Sequence, residues 1–308
     1  MEKTAKIFVA GHRGLVGSAI VRKLIECGYK NLILKTSQEV NLVRQEETER
    51  FFETFKPEYV FVAAAKVGGI IANRDAPTEF LYDNLMISMN VMNSAAKAGV
   101  KKLMFLGSSC VFPKFAPQPI KESALLTGAL EVTNEAYAIA KIAGLKLAEY
   151  YKIEHHRDFI SVMPPNLYGP GDNFHPDHSH VIPGLIRRFH EAKINKLKEV
   201  VVWGTGTPLR EFLYVDDIAD GCVFLMENFS EHSFINLGSG EEVTIKQLAE
   251  TIKDVVDYKG RLTFDSEKPD GTPRKIMDSS RARALGWKPT VNLHEGLKIT
   301  YEWYLENV

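Results

Sequence analysis

Tyr137 and Lys141, four residues apart in Tyr137-Ala138-Ile139-Ala140-Lys141, are the groups in this chain best suited to moving a proton. On a helix that spacing puts a phenol and an ammonium on one face. Free tyrosine titrates near pH ~10, and a cation beside it favours the phenolate, so the phenol can give or take a proton near neutrality. The spacing is common, and a packed tyrosine beside a solvated lysine satisfies it too. Gly107-Ser108-Ser109 adds weight, because it closes an apolar strand run, and ligands of open α/β sheets lie outside the carboxyl ends of the strands. A serine hydroxyl there can polarise a carbonyl or an alcohol while Tyr137 moves the proton.

Gly11-His12-Arg13-Gly14-Leu15-Val16-Gly17 follows an apolar run and opens an amphipathic one. The first glycine permits a tight turn, the second lets a pyrophosphate approach the backbone, and the third lets helix pack on strand. N–H groups at the helix start then hold the phosphates. Three glycines alone are weak evidence; between a strand and a helix they make a dinucleotide fingerprint. Leu34-Lys35-Thr36-Ser37-Gln38 carries no acid before Glu39, although an NAD enzyme usually places one there on the ribose hydroxyls. Arg13 and Lys35 suit a 2′-phosphate instead, which favours NADP(H). As surface charges both could equally be solvated.

The elements that must position these groups are legible as alternating runs. Strands are expected at Lys6–Ala10, Asn31–Leu34, Tyr59–Ala65, Lys102–Gly107 and Phe159–Met163. Helices are expected at Ser18–Cys27, Glu46–Phe55, Thr78–Ala98 and Glu135–Tyr151. Strands alternating with helices of this length imply βαβ units and a Rossmann-type, doubly wound parallel sheet covered on both faces. After Pro164-Pro165 the rhythm changes. Helices are expected at Val181–Ala192, Val215–Glu227, Thr244–Val256 (Thr244 as N-cap) and Leu293–Glu306, with strands at Val200–Trp203 and Phe234–Leu237. We read residues 1–170, taking in roughly 205–230, as a cofactor-binding domain, and 171–308 as mainly a smaller C-terminal α/β substrate-binding lobe. The helix Thr78–Ala98 is apolar or small almost all round, which suits the core better than a subunit interface.

Bulk properties exclude several classes. A formal net charge of -1 offers nothing global to a nucleic acid or an anionic membrane. The composition, 45% hydrophobic and 25% charged, is that of a globular protein. Cys27, Cys110 and Cys222 form no CxxC pair and suit a reducing compartment. With no apolar run long enough for a signal peptide or a membrane span, a cytoplasmic protein is expected. His175, His178 and His180 lack a nearby cysteine or clear carboxylate ligand, so no metal site is expected.

These motifs, in this order, resemble the extended short-chain dehydrogenases/reductases and, more narrowly, the GDP-L-fucose synthases. The resemblance runs over nearly the whole chain. It is carried by Gly11–Gly17, residues 63–70 (Ala-Ala-Ala-Lys-Val-Gly-Gly-Ile), 106–110 (Leu-Gly-Ser-Ser-Cys), 134–141, 166–170 (Asn-Leu-Tyr-Gly-Pro), 172–175, 179–183, Trp203-Gly204, Arg210-Glu211-Phe212 and 268–275 (Lys-Pro-Asp-Gly-Thr-Pro-Arg-Lys). It implies a GDP-sugar substrate, GDP-4-keto-6-deoxy-D-mannose, whose C4 ketone acidifies the protons at C3 and C5. It implies Cys110 as the base and His180 as the acid of epimerisation, with Ser108, Tyr137 and Lys141 serving the enolate and the reduction. The thiol and imidazole titrate at ~8.5 and ~6.5, on either side of neutrality. On residues alone, a cysteine after a strand is more often a buried packer. The resemblance also implies cofactor contacts from Gly11 to Gly17, Lys35, Ser37, Leu42, Ala64, Leu106, Gly107, Ser108, Ser109, Lys141, Pro164, Pro165, Asn166, Leu167 and His180. It implies substrate contacts from Arg188, Trp203, Arg210 and Asp270, and a homodimer formed through helices 78–98 and 135–151.

The chain departs from the family pattern at four places. Ala136 stands where a proline is expected, Pro165 where a small polar residue is usual, Phe112 for a tyrosine, and Ser37 for a base that would meet the 2′-phosphate. A 4,6-dehydratase of this fold would carry an acid just after the strand-end serines, where Cys110-Val111-Phe112-Pro113 stands. A 4-epimerase would need no cysteine–histidine pair. A dinucleotide-sensing regulator would have no use for Ser108, Tyr137 and Lys141 together.

Overall fold

The computed structural model describes every residue except Asp177 and Pro269, together with the side chains of Ile70 and Ile71. Pro269 and the Ile70 side chain, parts of the motifs above, thus lie outside the described residues. The first half of the chain runs β1 (Ile7–Ala10), α1 (Leu15–Glu26), β2 (Leu32–Ile33), α2 (Gln45–Phe55), β3 (Tyr59–Val62), α3 (Ile70–Asp75), α4 (Pro77–Lys97), β4 (Lys102–Leu106), α5 (Glu135–His155) and β5 (Asp158–Met163). The second runs β6 (Asn166–Tyr168), α6 (Val181–Ile194), β7 (Glu199–Trp203), β8 (Leu209–Tyr214), α7 (Val215–Asn228), β9 (Ile235–Asn236), β10 (Glu242–Thr244), α8 (Ile245–Val256), β11 (Arg261–Asp265), β12 (Arg274–Lys275), α9 (Ser280–Ala284) and α10 (Leu293–Asn307).

Six strands make one parallel sheet in the order β2-β1-β3-β4-β5-β9. Ile7 pairs with Leu32 on one side and Tyr59 on the other. The chain therefore leaves β1 for β2 and returns across it to β3, a switch point that opens a crevice at the carboxyl ends of β1 and β3. Side chains alternate between the two faces of each strand. Phe8, Val60, Leu103, Phe105 and Phe159 pack with residues of α2, α4 and α5. Ile7, Val9, Phe61, Met104 and Ile160 pack with α1 and α7. This is the doubly wound sheet expected from the βαβ rhythm.

A third cluster, with Leu185, Phe189, Phe212, Leu248, Ile252 and Tyr301, forms a separate core among elements of the second half of the chain. There β8 is flanked by β10 and β12 and also pairs with β6, while β7 and β11 form a separate parallel pair. Thr244 caps α8 as expected, in a capping box with Gln247.

The differences from the sequence reading have physical causes. The helix expected from Ser18 starts at Leu15, because Gly14 in extended backbone begins it with no side-chain cap. The helix expected to end at Tyr151 runs on to His155 and stops at left-handed His156. β9, placed by the sequence among the second-half elements, joins the main sheet beside β5 through Val162 and Met163. α4 buries one stripe, including Phe80, Asn84, Ser88, Val91 and Met92, while Tyr82 stays 56% exposed.

Candidate active site

The glycine turn lies at the β1–β3 switch point. Gly11 has φ +80°, and a Cβ on it would lie 2.7 Å from the Ala64 backbone, so the turn is pressed against the end of β3. A Cβ on Gly17 would lie 2.1 Å from the Gly11 carbonyl oxygen. Gly14 differs: it is exposed, its φ is -76°, and a Cβ there would meet only that same oxygen at 3.4 Å. The fold thus demands glycine at 11 and 17, whereas at 14 the chain itself leaves room for a Cβ. The uncapped N–H groups of α1 and a buried, unpartnered His12 Nδ1 adjoin it. This cradle fits a pyrophosphate. Gly17→Ala should therefore cost about 1–3 kcal/mol of stability through overpacking, read as a fall in Tm. Gly14→Ala should leave Tm nearly unchanged while weakening dinucleotide binding about tenfold, the loss of one charge-assisted hydrogen bond; unaltered affinity would refute the assignment.

At the far end of the crevice Lys35 is paired with Glu39 at 2.9 Å. Glu39 also accepts the Thr36 N–H and hydroxyl, and the Thr36 N–H foremost, with Lys35, lowers its carboxyl to about 2. Lys35 is thus shared with a carboxylate, whereas Arg13 and Ser37 are exposed. The Leu42 carbonyl accepts from Asn90 at 3.0 Å, which ties this loop to α4. On the other side, Ser109 N–H donates to the Pro164 carbonyl at 3.2 Å, and Asn166 donates to the Glu211 carbonyl at 3.0 Å. Gly107, buried against Met163, Pro165 and Leu167 on β6 continue this wall.

β4 ends at Leu106, and Ser108 then caps a single 3-10 turn, Ser109–Val111, with the Cys110 N–H directed at its Oγ at 3.5 Å. The turn brings Cys110 within electrostatic reach of Tyr137 and Lys141 of α5. Lys141 is buried, donates to the Leu106 carbonyl at 2.8 Å and lies 5.7 Å from the Tyr137 ring centre. Its ammonium is aimed at that carbonyl, and burial foremost, with Cys110, pushes the Tyr137 phenol well above its ordinary value, while Ser108 pulls it back down. Burial lowers Lys141 to about 8. Burial likewise raises the Cys110 thiol, while Lys275, Ser108 and Lys141 pull it down. Tyr137 packs edge-on against Phe80 at 6.4 Å, and Phe112, the departure from tyrosine, is fully buried against Phe234 at 6.1 Å.

His180 stands at the N-cap of α6, exposed yet closely surrounded by protein, which lowers its imidazole. Its loop is fixed by a close approach: a Cβ on Gly69 would lie 3.0 Å from the Ser179 carbonyl oxygen. The motif at 63–70 therefore seats the His180 loop. Among the described residues no group of three or more His, Cys, Asp or Glu is arranged to hold a metal.

The residues expected to meet substrate gather at the ends of β7 and β8. Arg188 donates to Gly184 and Val201 carbonyls, each at 3.3 Å, while Arg187 is tied to Glu191 and the Phe174 carbonyl. Trp203 is 60% exposed, under the Lys268 ammonium at 5.7 Å. Asp270 accepts from the Thr205 N–H and hydroxyl at 2.9 and 2.6 Å, so it holds the Gly204 turn. Arg210 lies beside Asp270 and pairs in register with Lys275. Two residues of the quoted motifs gain parts that the sequence did not give them. Glu211, fully buried, accepts the Gly240 and Met277 N–H groups at 2.8 and 2.9 Å and so fixes the strands on both sides of Arg210. Lys275 lines one recess with Cys110. Its one signal in the sequence was its place at the end of the 268–275 run.

Comparison with known proteins agrees with this arrangement. The pattern of the NAD dependent epimerase/dehydratase family matches residues 7–238. The chain is 64% identical to GDP-L-fucose synthase 1 of Arabidopsis thaliana over 307 residues, covering 100% of this chain and 95% of that one. It is 53% identical to the GDP-L-fucose synthase of Escherichia coli K12, covering 98% and 97%. A solved GDP-L-fucose synthetase from Naegleria fowleri bound to NADP superimposes with a TM-score of 0.91 at 32% identity, covering 100% and 96%. The chain belongs to the NAD dependent epimerase/dehydratase family, and within it to the GDP-L-fucose synthases.

Proposed function

We propose that this chain is an NADP-dependent oxidoreductase with epimerase activity that converts GDP-4-keto-6-deoxy-D-mannose to GDP-L-fucose, inverting C3 and C5 and reducing C4. The observation that carries the reading is the placing of Cys110 against the Ser108–Tyr137–Lys141 group, in a chain that matches GDP-L-fucose synthases along its whole length. NADPH, when bound, supplies the hydride that reduces C4. Residues 1–170, with roughly 205–230, are assigned to holding it, with Gly11–Gly17 on the pyrophosphate and Arg13 and Lys35 toward the 2′-phosphate. Residues 171–308 are assigned mainly to the GDP-sugar, with Arg188 and Arg210 on the diphosphate and Trp203 against sugar or base.

In the epimerisation the Cys110 thiolate takes the proton at C3 or C5, becoming a thiol. The C–H electron pair moves onto the C4 oxygen as an enolate, which Ser108 and Tyr137 hold by hydrogen bonds. His180, as imidazolium, returns a proton to the opposite face, and the enolate collapses to the ketone. In the reduction Tyr137 gives its proton to the C4 oxygen and is recharged from solvent, with Lys141 held nearby on the Leu106 carbonyl. The free protein favours a neutral thiol and a neutral imidazole. Moving one proton from thiol to imidazole creates the working pair without changing the total charge.

Exposed Tyr82 on α4 and Ile139, Tyr150 and Ile153 on α5 support a homodimer through these two helices. No helix among the described residues is long and apolar enough to cross a membrane, and with the scattered cysteines this supports a cytoplasmic enzyme. The test of the function is stoichiometry. One NADPH should be oxidised per keto-sugar, with NADPH preferred to NADH. Turnover of the sugar without NADPH loss would mean a redox-neutral epimerase, and equal use of NADH would refute the roles of Arg13 and Lys35.

A further inference from the structure

A base must be charged before it can act, and Cys110 is in poor surroundings for a charge. It is 6% exposed, within an apolar cluster that holds Val111 and Phe112. The charged and titratable groups that face it are Lys141 and Tyr137 from α5 and Lys275 from β12. Lys141 already donates to the Leu106 carbonyl. Lys275 is placed differently. It lines, with Cys110, Phe112, Gln118 and Glu131, a narrow recess. Its register partner on β8 is Arg210. Lys275 makes no ion pair with any carboxylate among the described residues, and the acid that lines the same recess, Glu131, is paired with Lys114 at 2.9 Å. A half-buried ammonium next to a second cation and without a carboxylate is a costly arrangement unless an anion joins it.

We propose that this anion is the Cys110 thiolate formed when the base is engaged: Lys275 is the positioning residue that stabilises the charged form of the epimerisation base. Burial alone would drive Lys275 toward the neutral amine and Cys110 toward the thiol, and their mutual attraction opposes both changes. Glu211 supports the arrangement at one remove, because its bond to the Met277 N–H anchors the chain two residues beyond Lys275. The proposal rests on the reading of Cys110 as the base, and the two can be tested apart.

The probe is the ultraviolet absorbance of the thiolate, titrated with pH and corrected by subtracting the Cys110→Ser protein, which removes the signals of Cys27 and Cys222. Lys275→Met should raise the Cys110 titration by about 1–3 pH units, the effect of losing an adjacent opposite charge. Solvent-deuterium entry at C3 and C5 should fall at least about tenfold near neutral pH and recover as pH rises, with NADPH affinity, the check on folding, intact. Lys275→Arg should keep most of both. If Lys275→Met leaves the thiol titration in place and instead raises the KM for the GDP-sugar, Lys275 serves the substrate's phosphates and the proposal is wrong. If Cys110→Ser still exchanges deuterium, the base reading fails, whatever the thiol titration of Lys275→Met shows.

Discussion

Tyr137→Phe should abolish NADPH oxidation by the keto-sugar, a loss of at least about 10²–10⁴-fold, the usual contribution of a positioned proton donor. The structure makes this a clean deletion. The ring is held by Phe80 and by the first sheet-face cluster, contacts that phenylalanine keeps. Only the hydroxyl facing Ser108 is lost. NADPH affinity, measured by fluorescence quenching, should stay within about threefold, because the contribution of one neutral hydrogen bond is ~1 kcal/mol or less. Full activity in this variant would remove Tyr137 from the chemistry and leave it a packing residue.

Cys110→Ser should have a comparable effect on a different step. Serine is nearly isosteric, so the 3-10 turn and its contact with Ser108 can persist, but an alkoxide at neutral pH is far less accessible than a thiolate. Deuterium entry from solvent at C3 and C5 should fall about 10²–10⁴-fold. The hydride step uses Ser108, Tyr137 and Lys141 and should survive on a keto-sugar whose C3 and C5 are already inverted. Unchanged deuterium entry would show that Cys110 is the buried packer its apolar surroundings would otherwise suggest.

The first half of the fold was legible because each strand is a short apolar run and each helix has a long apolar face. β1 and β4 were expected within a residue or so of where they lie. Gly11 and Gly17 were legible as fold requirements, since a glycine string between strand and helix has few other uses. The second half was harder. β6, β10 and β12 are two or three residues long, too short for alternation to register. β8 carries Arg210 and Glu211 in mid-strand, and Glu211 is buried only because turns distant in sequence supply its N–H donors. Local pattern cannot announce a partner 29 or 66 residues away. Lys275 was hidden for the same reason, because its neighbour Cys110 is distant in sequence, just past the end of β4. The aim of Lys141 at the Leu106 carbonyl was equally invisible, since helical spacing fixes a face and not the atom a side chain reaches.

The central claim is that one site both epimerises and reduces. It is tested most directly by incubating the enzyme with GDP-4-keto-6-deoxy-D-mannose and NADPH in deuterated water and reading the product by NMR. The account predicts GDP-L-fucose carrying deuterium at both C3 and C5, formed with one NADPH oxidised per sugar. A reduced sugar that keeps its original C3 and C5 configuration and protons would contradict it, leaving a simple C4 reductase in which Cys110 and His180 take no part.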